Sequence, residues 1–384
     1  MSKKICVAVT ARPSYSRIRS ALTALKARPE IDLTVLCSGS ALLSRFGRVA
    51  DLIRADGFTV ADELYTVVEG NEPINMALTL SNTIELSASA FRHLAPDVVV
   101  TIADRYETLG TAAAAAYLGI PLVHVQGGEV TGNIDEKVRH SVTKLSDFHL
   151  VATESARNRL IRMGEHPDTV VVTGCPSIDI AREAIETPFE DVQADIDSLG
   201  VGARLDLHED YIVVMLHPET ESYGNSFART MATLDAIASI KMPTIMFWPN
   251  PDAGSDSVSK GIRVFRETHR DLEVNYQKNL EGHRFLRLLK NARCMIGNSS
   301  VGVRECAYLG TPVVNIGDRQ HGRDRAANVI DVPWDKTAIE GAIRHQVAHG
   351  PYASSDLYGH GHAGVRIADA LMRDLRPEAK RFYD

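Results

Sequence analysis

The residues best suited to moving a proton fall in one run, His124-Val125-Gln126-Gly127-Gly128-Glu129-Val130-Thr131-Gly132-Asn133-Ile134-Asp135-Glu136-Lys137-Val138-Arg139-His140. Two glycines directly after an apolar stretch let the backbone approach a ligand closely, and the carboxylates that follow lead into a predicted helix carrying Arg139 and His140. A solvated loop running into a capped helix would account for Asp135 and Glu136, but it leaves Gly127-Gly128-Glu129 unexplained. A second carboxylate, Asp104, closes another strand-like run in Ile102-Ala103-Asp104-Arg105-Tyr106-Glu107, where helix capping is the competing reading. Asp104, Glu129 and Asp135 together make a cluster in which like-charge repulsion and partial burial can tune groups for proton transfer.

Other segments suit an anion. Arg12 follows the first apolar run in Thr10-Ala11-Arg12-Pro13-Ser14-Tyr15-Ser16, an arrangement that fits an anion at a strand end equally with a solvated helix start. It is not a G-x-G-x-x-G loop, so dinucleotide binding lacks its usual signature. Gly297-Asn298-Ser299-Ser300 joins a strand to a helix, aiming backbone N–H groups and two hydroxyls at whatever lies beyond. A diphosphate would suit that place, with Glu305 reaching ribose hydroxyls and Arg319, Arg323 and Arg325 near the phosphates. A simple serine cap with a solvated Glu305 is the alternative. His217 ends a further apolar run, though a lone histidine is more often structural. Asn250 and Asp252 sit in Trp248-Pro249-Asn250-Pro251-Asp252, which also reads as a plain turn.

These positions need elements to hold them, and the pattern supplies a repeated alternation. Short β-branched runs at 4–9, 32–37, 97–103, 121–125, 148–152 and 169–173 alternate with helical periodicity at 15–27, 40–56, 75–94, 106–118, 135–147 and 154–164. A second series runs from a strand at 210–216 through a helix at 300–309 to a strand at 312–316. Strand, helix, strand repeated in this way predicts α/β architecture: two Rossmann-like doubly wound domains whose strand ends face a central cleft. The expected division is 1–180 for the domain with the carboxylates, 181–360 for the second, and 361–384 for a C-terminal helix that packs back on the first.

Composition narrows the partners. The chain has 384 residues, with 49 acidic against 42 basic side chains and a formal charge of −7, so it carries no general footprint for a nucleic-acid backbone or an anionic membrane. An anionic ligand must meet a local cluster. The longest apolar tract, 110–125, contains glycine, proline and histidine and falls short of a membrane span. The first apolar run is too short for a signal-peptide core, and five widely spaced cysteines suit buried thiols. A cytoplasmic protein is expected.

Taken together, Arg12 with Tyr15-Ser16, Asp104-Arg105, Gly127-Gly128-Glu129 through Asp135 to Arg139-His140, Gly174-Cys175-Pro176-Ser177, Trp248-Pro249-Asn250, and Gly297-Asn298-Ser299-Ser300 through Arg304-Glu305 to Gly310-Thr311-Pro312 and Arg319-Gln320 resemble the UDP-N-acetylglucosamine 2-epimerase family over nearly the whole chain. The resemblance is to its hydrolysing branch, because the non-hydrolysing branch carries Glu-Ala-Gly-Leu-Arg-Thr where this chain has Gln126-Gly127-Gly128-Glu129-Val130-Thr131. It implies a GT-B-like fold, a UDP-sugar substrate, no redox cofactor, no essential metal, and a homodimer or homotetramer. It also implies anti elimination of UDP to a 2-acetamidoglucal, followed by hydration to N-acetylmannosamine.

On that reading Asp104, Glu129, Asp135 and His217 are the catalytic candidates. Arg12, Ser16, Arg105, Glu136, Arg139, His140, Asn250, Asp252, Ser299, Ser300, Glu305 and Arg319 are the candidates for binding substrate and UDP. Three alternatives stand beside it: a non-hydrolysing epimerase, a hydrolysing enzyme for UDP-2,4-diacetamido-2,4,6-trideoxyglucose, and a GT-B glycosyltransferase sharing the diphosphate contacts.

Overall fold

The computed structural model describes residues 2–44, 47–70, 72–131, 134–219, 225–249, 255–377 and 379–381. The chain divides into two units, Met1–Asp179 with Gly359–Asp384, and Ile180–Tyr358.

The first unit is built on strands β1 (Lys3–Val9), β2 (Ile31–Ser38), β3 (Val60–Leu64), β4 (Val98–Ile102), β5 (Leu122–Val125), β6 (Phe148–Val151) and β7 (Val170–Val172), all parallel, in the order β3-β2-β1-β4-β5-β6-β7. Valine-rich β4 is buried along its whole length, as a strand covered by helices on both faces must be. The chain winds outward one way from β1 to β3 and the other way from β4 to β7. The loops after β1 and β4 therefore diverge, leaving the crevice where such sheets bind ligands. The helix Ala363–Leu371 packs against the helix Arg19–Lys26, with Arg28 Nη1 donating to Ala368 O at 3.3 Å.

In the second unit β8 (Val201–Gly202), β9 (Ile212–Met215), β10 (Thr244–Phe247), β11 (Val274–Gln277), β12 (Cys294–Gly297), β13 (Val313–Ile316) and β14 (Val329–Val332) lie in the order β14-β13-β12-β9-β10-β11-β8. All pairs are parallel except β8 with β11. Here the switch falls between β9 and β12. Each sheet buries an apolar layer on either face. The five cysteines are buried and unbridged, and burial pushes the Cys6 and Cys37 thiols up to about 12. Among the described residues no helix is long and apolar enough to cross a membrane.

Several elements differ from the sequence pattern. The expected helix 15–27 is two helices, Arg12–Ser16 and Arg19–Lys26, separated at Arg17 and Ile18, where the backbone of Ile18 leaves the helical region (φ −132°). Helix 300–309 is likewise broken at Arg304 into Ser300–Val303 and Glu305–Leu309. The acidic stretch after Pro176 holds two helices, Pro176–Ala184 and Phe189–Leu199, and β3 is a strand the pattern did not mark.

Candidate active site

At the switch point of the first sheet the backbone is locked into an unusual turn. Ala103, just past β4, has φ 62°, and Gln126, just past β5, has φ 66°. Non-glycine residues in the left-handed region are strained by roughly 1–2 kcal/mol and persist only where surrounding contacts over-determine them. Those contacts are present: Ala103 N donates to Val125 O at 2.9 Å, and Gln126 N donates to Leu150 O at 2.8 Å. The turn at Ala103 delivers Asp104.

The N-cap of the following helix is Arg105, one residue past Asp104. Asp104 pairs with Arg139 on the helix Ile134–Leu145. Arg139 is fully buried, and its guanidinium also donates to Glu129 O at 2.7 Å, to Glu136 Oε2 at 3.2 Å and to Thr131 Oγ1 at 3.1 Å. Glu136 in turn accepts from Thr131 N at 2.7 Å and lies 3.2 Å from His140 Nε2. Burial would favour a neutral Arg139, but Asp104, Glu129 and Glu136 outweigh it and raise its pKa. One buried cation thus gathers Asp104, the Glu129 backbone and Glu136 at the carboxyl ends of β4 and β5.

The same contacts place the other sequence-based candidates of this region. Arg139 and Glu136, expected to reach substrate, are engaged with their neighbours inside the protein. Arg105 is held by both oxygens of Glu107, at 3.1 and 3.2 Å, and Glu107 is itself fully buried. Ser16 Oγ donates to Arg12 O at 3.2 Å, a local helix contact, while Arg12 and Ser16 are both exposed. Asp135 sits half-buried in the first turn of the Ile134–Leu145 helix, and His140 is exposed.

The two glycines also have an internal explanation. A Cβ on Gly127 would lie 2.9 Å from His124 Nδ1, and one on Gly128, which has φ 76°, would lie 2.5 Å from Ala156 O. The close approach they permit is to the protein itself.

The switch point of the second sheet is closed by Asn298. Its side chain accepts from His217 N at 2.8 Å and donates to His217 O at 2.9 Å, tying the end of β9 to the end of β12. Gly297 permits this, since at φ 141° its missing Cβ would fall 1.9 Å from Met215 O. Arg319 Nη1 and Gln320 Nε2 both donate to Asn298 O, at 3.1 and 2.9 Å, so Arg319 is drawn over the same turn. His217 is buried, and burial followed by the Arg319 charge lowers its pKa to about 3.

Ser299 makes no capping hydrogen bond to the helix that follows, which removes the plain-cap alternative for it. Ser299, Ser300 and Glu305 are half-buried nearby in sequence. Arg325 is paired with Asp331 at 2.6 Å rather than standing ready for a phosphate. Asn250 and Asp252 lie outside the described residues, as do Gly132 and Asn133.

Sequence reasoning missed Glu107 and understated Asn298 and His124. Glu107 had one signal, a carboxylate two residues after Arg105 at a strand end. The other two look like ordinary strand-end residues until the fold shows what they tie. Among the described residues no group of histidine, cysteine and carboxylate side chains is arranged to hold a metal ion.

Two doubly wound, predominantly parallel sheets, each with polar groups at its switch point, define a GT-B-like α/β protein. Residues 23–372 match the family described as UDP-N-acetylglucosamine 2-epimerase, and the chain belongs to that family. A UDP-N,N'-diacetylbacillosamine 2-epimerase (hydrolyzing) of Legionella pneumophila is 31% identical over 97% of this chain and 96% of its own length. A polysialic acid biosynthesis protein of Escherichia coli is 31% identical over 100% of this chain and 97% of its own. In structure, a UDP-GlcNAc 2-epimerase from Neisseria meningitidis, crystallised with UDP-GlcNAc, superposes with a TM-score of 0.82 at 18% identity, covering 96% of this chain and 99% of the other.

Proposed function

We propose that this protein is a hydrolysing UDP-sugar 2-epimerase that converts UDP-N-acetylglucosamine and water to N-acetylmannosamine and UDP. The observation that carries the reading is Asp104, held beside Glu129 and Glu136 by the buried Arg139 at a sheet's switch point. Proton chemistry gives a carboxylate in that place a use.

The C2 proton of the sugar is not acidified by a carbonyl, so cleavage of the C1–O bond must lead. Positive charge then builds at the ring and negative charge on the diphosphate. Carboxylates stabilise the first, and Arg12, Arg319 and the N–H groups around Ser299 and Ser300 stabilise the second. One carboxylate of Asp104, Glu129 and Asp135 takes the C2 proton as the C1–O electrons leave with UDP. The resulting 2-acetamidoglucal is then protonated at C2 on the opposite face while water adds at C1. His217, neutral in the resting protein, assists the leaving diphosphate as a hydrogen-bond donor rather than as a cation. Glu305 is assigned to the ribose.

Hydrolysis is favoured over return of a nucleotide sugar by the Gln126-to-Thr131 loop and by the hydrolysing relative from Legionella. That relative's name also supports a second reading, in which the substrate is UDP-2,4-diacetamido-2,4,6-trideoxyglucose. Turnover of both nucleotides in D2O, followed by NMR, tests the proposal. Free 2-epimerised sugar carrying solvent deuterium at C2 is expected. A standing mixture of two nucleotide sugars, or hydrolysed sugar with no deuterium at C2, rejects it, and the relative rates choose the substrate.

A further inference from the structure

His124 has no role in the chemistry above, yet its surroundings are specific. The ring lies at 0% exposure in β5, with Nε2 2.9 Å from Ala103 O and Nδ1 3.2 Å from Thr143 Oγ1. A carbonyl oxygen can only accept, so Nε2 carries the proton and Nδ1 accepts from the threonine hydroxyl. Burial lowers the pKa to about 3, so this neutral tautomer persists across the working range.

Each contact lands one step from the candidate chemistry. Ala103 is the strained left-handed residue immediately before Asp104, and Val125 already holds its N–H while His124 holds its C=O. Thr143 is fully buried one helical turn beyond Arg139 on the same face, and Arg139 pairs with Asp104. These links close into a ring that runs from His124 through Ala103 and Asp104 to Arg139, along the shared helix to Thr143, and back to His124. Gly127 leaves just enough room for the imidazole, since a Cβ there would meet Nδ1 at 2.9 Å.

We propose that His124 is the positioning residue for Asp104, fixing the Ala103 turn and the Arg139 helix relative to each other so that the carboxylate is aimed before substrate binds. The inference rests on the proposed epimerase reading. It assigns His124 no contact with substrate; its action runs through Asp104.

The test compares His124→Met, which removes both contacts, with His124→Gln, which restores a donor near the Nε2 position, each alone and in an Asp104→Asn background. His124→Met should lower kcat for UDP release by about thirtyfold with KM within about threefold, because misplacing a catalytic group by a fraction of an ångström costs rate rather than binding. His124→Gln should recover most of the rate, and His124→Met should slow Asp104→Asn no further. Wild-type kcat in His124→Met, or a full additional loss in the Asp104→Asn background, overturns the proposal.

If His124→Met does not fold, Gly127→Ala crowds the same ring and should lower kcat about tenfold without changing KM; unchanged kcat counts against the proposal. A separate readout needs no turnover. In wild-type protein labelled with 15N-histidine, His124 should show a slowly exchanging Nε2–H that survives to about pH 5. A rapidly exchanging or Nδ1-protonated ring sinks the inference, whereas absence of UDP release from either nucleotide sugar by wild type sinks the epimerase reading instead.

Discussion

At the scale of single residues, Asp104 and Arg139 make one device. A fully buried guanidinium is tolerable only with partners, and Asp104 is the one that comes from outside its own helix and loop. Two substitutions separate chemistry from stability. Asp104→Asn keeps the shape and an acceptor oxygen, so it should reduce turnover by about a thousandfold while UDP binding, measured by calorimetry, stays within about threefold. Arg139→Met leaves a partly buried carboxylate without its cation and should destabilise the first unit by about 3 kcal/mol, read by denaturant titration. Undiminished turnover in Asp104→Asn, or undiminished stability in Arg139→Met, would contradict this assignment.

At the scale of elements, much of the scaffold was legible in the sequence because apolar residues concentrate where parallel strands are covered on both sides. The runs at 4–9, 32–37 and 148–152 became β1, β2 and β6 within a residue or so at each end. By contrast β3, Val-Ala-Asp-Glu-Leu, is an edge strand in which Leu64 alone is buried, so it offers no apolar run to find. The helix breaks at Arg304, a buried arginine, where local periodicity marks no interruption. At the site, strand-end position marked Asp104, Glu129 and His217, while the internal engagement of Arg139 and Glu136 needed the fold.

One element contact makes a pH prediction. His283 lies between Glu281, at 3.1 Å, and Glu183, at 3.2 Å, joining the helix Gly282–Asn291 to the helix Pro176–Ala184. The Glu281 hydrogen bond, against the opposing effect of burial, raises the His283 pKa, and the same contact holds Glu281 down at about 2. A raised histidine pKa gives stability that is full below the unfolded value and lost as pH rises through the folded one. A depressed Glu281 gives stability present above its unfolded value and lost as pH falls towards 2. The clamp is therefore complete between about pH 4.5 and 6.5. Going from about pH 6 to 9, wild type should lose more stability than His283→Gln, read as a larger fall in Tm for wild type over that range. Parallel pH profiles for the two proteins would remove the clamp.

At the scale of the whole molecule, a chain of charge −7 that handles a nucleoside diphosphate must concentrate positive potential locally. The proposed division of labour gives proton chemistry to the first unit and diphosphate binding to the second, where Asn298 fixes the β9–β12 turn and draws Arg319 over it. On that proposal C1–O cleavage leads, and the charge on the sugar ring and the charge on the diphosphate grow in the same step. Arg319 should contribute to ground-state UDP binding as well as to the departing charge. Arg319→Met is then expected to weaken UDP binding about tenfold or more and to lower kcat, whereas Asp104→Asn lowers kcat alone. Raising salt from about 50 to 300 mM should weaken UDP binding to wild type more than to Arg319→Met, because a screened contact is missing from the variant. Identical salt slopes, together with unchanged UDP affinity, would place the diphosphate away from Arg319 and overturn the assignment of that task to the second unit.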